Sequence, residues 1–150
     1  MQTIIRPAAP ADAPAIGRLM AQLAEFCHGS PDGGVAERLR IMAALPDHAV
    51  FVAEDGAGQI VGLLIICHRW TLWHAGPAAV IDELVVDRAA RGRGVGRALI
   101  GAALDWAGAH GCAEVEVSTE VDNTEAAAFY RRLGFTQAAL RLECELEEQR

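Results

Sequence analysis

Four arginines and three glycines crowd residues 88–97 of this chain: Arg88, then Arg91-Gly92-Arg93-Gly94-Val95-Gly96, then Arg97. Glycine lets a ligand's oxygens come close to backbone N–H groups. Upstream, Ile81-Asp82-Glu83-Leu84-Val85-Val86 has the composition of a buried strand. Downstream, Val95, Leu99, Ala102, Ala103 and Trp106 recur at helical spacing, with Gly111 placed as a left-handed stop. A strand, a loop of small residues and a helix N-terminus make an anion site, because the unpaired N–H groups and dipole of the first turn attract negative charge. The chemistry expected here is phosphate binding.

Two familiar phosphate loops do not fit. A Walker loop carries a lysine after its last glycine, and this chain has no lysine. A dinucleotide fingerprint is G-x-G-x-x-G, whereas these glycines fall as G-x-G-x-G. Taken alone, the loop could also be a tight strand–helix turn. Other residues able to do chemistry are Glu83, Tyr130 (the only tyrosine) and the pair Cys27–His28. Adjacent helical residues point about 100° apart, so Cys27 and His28 read as a core thiol and a surface imidazole and not as a nucleophile with its base. Cys67, His68 and His74 lack the spacing of metal ligands, and no metal is expected.

The elements that must position these groups can be read in order. Residues 3–6 read as a strand ended by Pro7, and Asp12 as the cap of a helix with Ile16, Leu19, Met20, Leu23 and Phe26 on one face. Residues 28–34 are turn-rich, and a shorter helix carries Val35, Leu39 and Met42. Strands follow at 49–54 and 59–67 around an Asp55-Gly56-Ala57-Gly58 turn. Trp70 and Trp73 sit in the loop 69–77. After the central strand, loop and helix come a strand at 113–119 and a helix that Asp122 or Asn123 caps, with Ala126, Phe129, Tyr130 and Leu133 on one face. Last, residues 140–146 alternate strictly between Leu140, Leu142, Cys144, Leu146 and Arg141, Glu143, Glu145. The expectation is one α/β domain over 1–150, a mixed, mostly antiparallel sheet of about six to seven strands with helices on both faces.

At 150 residues one domain is expected, and the formal charge of −7 argues against a nucleic-acid partner. No apolar run approaches the roughly 20 residues of a membrane helix. Met1 to Arg6 lack the pattern of a signal peptide, and four scattered cysteines form no C-x-x-C pair. A cytoplasmic protein with no membrane partner is the expectation.

R-x-x-G-x-G after an E-L-x-V strand, followed by Asn123 and then Ala126-Ala127-Ala128-Phe129-Tyr130-Arg131-Arg132-Leu133-Gly134-Phe135, resembles the GNAT N-acetyltransferase superfamily. Two motifs in order, a helix and a strand apart, are far more specific than either alone, and the element order fits over nearly the whole chain. The resemblance implies acetyl-coenzyme A as co-substrate, its pyrophosphate held by Arg91, Gly92, Arg93, Gly94, Val95, Gly96 and Arg97. It also implies that Leu84, Val85 and Val86 lend backbone hydrogen bonds to the pantetheine arm, with the N–H of Val85 as oxyanion donor. Asn123 would contact the cofactor from the opposing strand end.

An alkylamine with a pKa near 10 must lose a proton before it attacks a thioester. Glu83 is the candidate base, with Glu120 as fallback, and alternation would turn Asp82 to the other face. Tyr130 matches the family's general acid, although its place beside Phe129 also fits a core residue. Phe26, His28, Trp70 and Trp73 are the expected acceptor walls. Tryptophan faces and the acidic chain point to a small cationic or aromatic amine. The function expected is N-acetylation by direct transfer in a ternary complex. A non-catalytic acyl-coenzyme A sensor and acetylation of a protein N-terminus are the alternatives. A homodimer, with the last strand near its interface, is expected.

Overall fold

A computed structural model describes residues 2–25 and 34–146. Its sheet runs in chain order: β1 (Ile4–Pro7), β2 (His48–Glu54), β3 (Ile60–Arg69), β4 (Ala78–Val86) and β5 (Glu114–Val117). Strands β1 to β4 are antiparallel neighbours. β5 joins β4 in parallel, so a crossover is required, and helix α3 (Val95–Ala109) supplies it. Helices α1 (Ala13–Leu23) and α2 (Val35–Ala44) lie between β1 and β2, and α4 (Thr124–Arg132) follows β5.

Alternation along β3 separates two cores. Leu64 and Ile66 pack with Leu99, Ile100 and Ala103 of α3 and Tyr130 of α4. Leu63 and Ile65 point the other way, onto Ile16 and Leu19 of α1 and Leu39 of α2. Both faces of the sheet are therefore covered by helices, as the apolar run of β3 requires.

One ionic cluster fixes the entry of the chain. Arg6 on β1 gives two hydrogen bonds to the carboxylate of Asp12, at 2.8 and 2.9 Å, and one to Glu54 on β2 at 2.8 Å. Asp12 is buried, and its Oδ2 also accepts the N–H of Ala9 at 2.7 Å. The guanidinium holds the Asp12 carboxyl below the usual carboxylate range. At the far end of the sheet, Gly76 lies so close to the α3–β5 turn that a Cβ there would sit 2.4 Å from the carbonyl oxygen of Gly111. Gly111 itself takes the left-handed conformation (φ +68°) expected of the helix stop.

The expected last strand is not formed. Residues 135–146 make no strand, Leu140, Leu142 and Leu146 are 77%, 84% and 90% exposed, and the sheet over the described residues has five strands and not six or seven. Alternation supplies a strand's two faces but not a ladder. A strand holds only when a neighbour takes its N–H and C=O groups, and none of the described residues does so here.

Candidate active site

Strand β4 does not run regularly. Ile65 of β3 opposes Glu83, but the next residue, Ile66, opposes Ile81, so Asp82 is an extra residue in a bulge. Ile81 and Leu84, three apart, therefore both face the α3 side. Glu83 shares the face of Ile65 and Val85, toward α1 and α2. Asp82 lies on that same face: its Oδ2 accepts from the Sγ of Cys67 at 3.5 Å, and Cys67 is on the opposite side of β3 from Ile66. The expectation that Asp82 turns away from Glu83 is thus corrected, because an inserted residue cancels the alternation. Burial first, and then the Asp82 charge, push the Glu83 carboxyl above its usual range.

Register also decides which backbone groups of β4 are free. The N–H of Asp87 bonds to the carbonyl of Val61 at 2.9 Å, which makes 61 and 87 a hydrogen-bonded pair. Bonded pairs alternate in an antiparallel ladder, so Val85 bonds to Leu63 and its N–H points at β3. The N–H groups of Leu84 and Val86 point to the other edge. β5 covers that edge only as far as Ile81, opposite Val117, so the two strands part at the bulge and leave residues 82–86 unpaired on the edge away from β3. A ligand arm lying in this gap meets Leu84 and Val86. The expected oxyanion donor, Val85, is turned away from it.

At the end of β4 stands the glycine loop. A short 3-10 helix (Arg88–Ala90) is capped by Asp87, whose side chain accepts the N–H of Ala89 at 2.9 Å. Gly92 and Gly94 both take positive φ, +73° and +82°, and at neither would a Cβ meet any protein atom within 4 Å. Gly94 is the residue before α3, and no side chain caps the helix, so the first-turn N–H groups face the space left open by the glycines. Arg91, Arg93 and Arg97 are exposed around it, with Nε of Arg91 turned back to the carbonyl of Val86 at 3.1 Å. Gly96 is set against Phe129 of α4, where a Cβ would approach the ring to 3.1 Å. Bare backbone donors, an unfilled cradle and arginines suit a pyrophosphate.

Tyr130 is 9% exposed, on the α3 side, with its ring edge-on to Phe129 and Phe135 at centroid distances of 5.2 and 5.6 Å. Burial pushes its phenol up to about 12. Asn123 caps α4, its Oδ1 accepting the N–H of Ala126 at 3.1 Å. Glu120 lies in the turn after β5, where its carbonyl accepts the N–H of Asn123 at 3.0 Å.

Of the expected acceptor walls, Trp70 and Trp73 do not lie beside Glu83. Phe26 and His28 lie outside the described residues. Trp70 and Trp73 stand 77% and 88% exposed with Leu72 between them, in a loop anchored by Gly76 and by His74 against Glu114 at 2.8 Å. That anchor is at the start of β5, whereas Glu83 lies beyond its end. Four to five strand residues, about 15 Å, separate Ile65 from the loop.

Two positioning groups have no signal in the sequence. Gln22, at the end of α1, gives its Nε2 to Asp87 at 3.0 Å and accepts the N–H of Arg88 on Oε1 at 3.1 Å. Glu25 pairs with Arg88. Residues more than sixty apart thus tie α1 to the loop after β4, a link no local pattern announces.

Among the described residues no group of three or more His, Cys, Asp or Glu side chains could hold a metal ion, and no helix is long and apolar enough to cross a membrane. The mycothiol acetyltransferase of Nocardioides sp. is 36% identical over 80% of this chain and 45% of its own length. Glucosamine 6-phosphate N-acetyltransferase 1 of Oryza sativa subsp. japonica is 33% identical over 67% of this chain and 61% of its own. The chain spans about half the length of these curated relatives. Among solved structures, an aminoglycoside acetyltransferase from an uncultured soil metagenomic sample, in complex with trehalose, superposes with a TM-score of 0.79 at 27% identity, over 98% of this chain and 97% of that one. The family model described as "Acetyltransferase (GNAT) family" matches residues 18–135, which contain the split between β4 and β5, the glycine cradle and Tyr130, and the chain belongs to that family.

Proposed function

We propose that this protein transfers the acetyl group of acetyl-coenzyme A to the primary amine of a small molecule, directly and within a ternary complex. The observation that carries the reading is the split at the bulge. It opens a backbone edge between the glycine cradle at one end of β4 and a half-buried carboxylate, Glu83, on the opposite face from Tyr130. The named relatives acetylate small molecules, which supports the acceptor class.

Each step falls to a group already placed. The first-turn N–H groups of α3 and the arginines of residues 91–97 hold the pyrophosphate. Leu84 and Val86 take the pantetheine arm, and the N–H of Leu84, next to the bulge, faces the thioester oxygen and receives the negative charge of the tetrahedral state. Glu83 removes the proton of the ammonium, directly or through one water, so that nitrogen can attack. Tyr130 returns a proton to the departing sulfur from the other face. Asn123 serves the site by fixing the start of α4.

The same reading takes the acceptor from the α1–α2 face and gives the exposed tryptophans no part in holding it. It also includes a homodimer and a cytoplasmic place of action. Mixing the protein with acetyl-coenzyme A and an amine panel, and following free thiol and product mass, is the deciding experiment. Thiol release with an acetylated amine is expected. Binding of acetyl-coenzyme A with no release from any amine would instead favour a sensor of the cofactor.

A further inference from the structure

The bulge gives the acceptor-side face of β4 two neighbouring carboxylates where a regular strand offers one. Asp82 is exposed and Glu83 half-buried. Asp82 is not loose: the Cys67 thiol donates to its Oδ2 at 3.5 Å from β3. Burial, and then the charge of Asp82, push that thiol up to about 11, so it remains a donor through the neutral range.

The surroundings of Glu83 leave Asp82 its main electrostatic neighbour. Glu83 faces Ile65 of β3, and the core groups that α1 and α2 bring to this face are apolar, Ile16, Leu19 and Leu39 among them. Asp47 and Arg69 act on the neighbouring Cys67. Among the described residues, Asp82 is the charge that acts on Glu83.

We propose that Asp82 is a positioning residue for acetyl transfer: held beside Glu83 by the bulge and by the Cys67 thiol, it strengthens Glu83 as acceptor of the proton of the incoming ammonium. The inference rests on Glu83 being the base. The step moves one proton from the ammonium nitrogen to a Glu83 oxygen, leaving a neutral amine and a neutral carboxyl. A negative neighbour favours that neutral carboxyl, and so draws the proton off an amine that would otherwise keep it. Asp82 acts in this through Glu83.

The test compares the wild type with Asp82→Asn, Cys67→Ala, Cys67→Ser and Glu83→Gln. The Glu83 carboxyl carbon is followed by NMR through a pH titration, its resonance identified by its loss in Glu83→Gln. Asp82→Asn is isosteric at an exposed site, so it should fold. It is expected to lower the Glu83 midpoint and to carry the acid limb of kcat/KM down with it. Cys67→Ala should give a smaller shift in the same direction, which Cys67→Ser restores. An unmoved midpoint in Asp82→Asn, with turnover lost in Glu83→Gln, overturns the inference and leaves the base assignment standing. Full turnover in Glu83→Gln removes the base assignment and the inference together. A higher KM for the amine in Asp82→Asn with an unmoved acid limb would make Asp82 a substrate contact, and also overturns it.

Discussion

Glu83 and Tyr130 stand on opposite faces of the sheet. Glu83 shares its side of the sheet with Ile65 of β3 and Val85 of β4 under α1 and α2, and Tyr130 belongs to the core of α3 and α4. Burial and a like charge raise the Glu83 carboxyl above its usual range, and burial raises the phenol. A base and an acid separated by the plane of the sheet can serve the two sides of a thioester lying in the split.

Glu83→Gln should lower kcat by about 10²-fold or more and yet make the fold more stable near neutral pH. The Glu83 pKa is raised in the folded state. Its contribution to stability is therefore whole below the unfolded value and is lost as pH rises through the folded one. Glutamine does not titrate and escapes that loss. Melting temperatures of the two proteins should coincide most closely in acid and separate as pH rises through the folded value. A mutant that melts lower at neutral pH would show Glu83 to be structural.

Tyr130→Phe removes one oxygen and little volume from a packed site. Binding of acetyl-coenzyme A should survive and turnover should fall by about 10²-fold. Because burial raises the phenol to about 12, its ionisation should put no alkaline limb on the rate profile below that value. An unchanged rate constant would assign Tyr130 to the core alone.

Gly94→Ala forces a side chain into a left-handed backbone at φ +82°, at a cost of about 1–2 kcal/mol, and fills the cradle. Gly58, in the turn between β2 and β3, has nearly the same φ of +78° and no neighbour to its Cβ within 4 Å. Gly58→Ala is the matched control for strain. Calorimetry should find acetyl-coenzyme A binding lost in the first and kept in the second. Equal binding by both would make the loop a turn only.

Asp12→Ala leaves Arg6 with only Glu54 and the carbonyl of Pro7, and the N–H of Ala9 without its Asp12 acceptor, a loss of about 2–3 kcal/mol. The Asp12 pKa is lowered by Arg6, so its contribution is present above the unfolded value and fades as pH falls through the folded one. Urea midpoints of wild type and mutant should approach each other in acid. A constant gap would trace the loss to packing.

The glycine loop and the two-faced sheet were legible because they are local. G-x-G ahead of a helical stripe demands left-handed turns, and Leu63, Leu64, Ile65 and Ile66 demand cover on both sides. Asp82 was not, since nothing in Ile81-Asp82-Glu83 announces an inserted residue and the alternation rule assumes none. Nor could the choice between Leu84 and Val85 as a free donor be read, because it depends on the pairing of Val61 with Asp87 across two strands. Gln22 meets Asp87 only once the chain has folded. Residues 140–146 show the reverse error: a true strand pattern whose partner lies nowhere in the described chain.

That pattern carries the last prediction. Arg141 pairs with Glu143, two residues on, which puts both on one side of an extended segment and Leu140, Leu142 and Leu146 on the other. Among the described residues β5 is the last strand of the sheet, and no strand pairs with its outer edge. A second copy offering its own residues 140–146 would give each tail a ladder and hide six leucines in all, three from each chain, at about 1.5–3 kcal/mol each. Association costs about 4–15 kcal/mol in lost freedom, so a dimer of modest affinity is expected, its population rising with concentration. Light scattering over a dilution series should show that rise, and Leu142→Glu should abolish it while leaving the melting temperature of the monomer unchanged. A wild type that stays monomeric at the highest concentration would mean the leucines are covered by something other than a second copy.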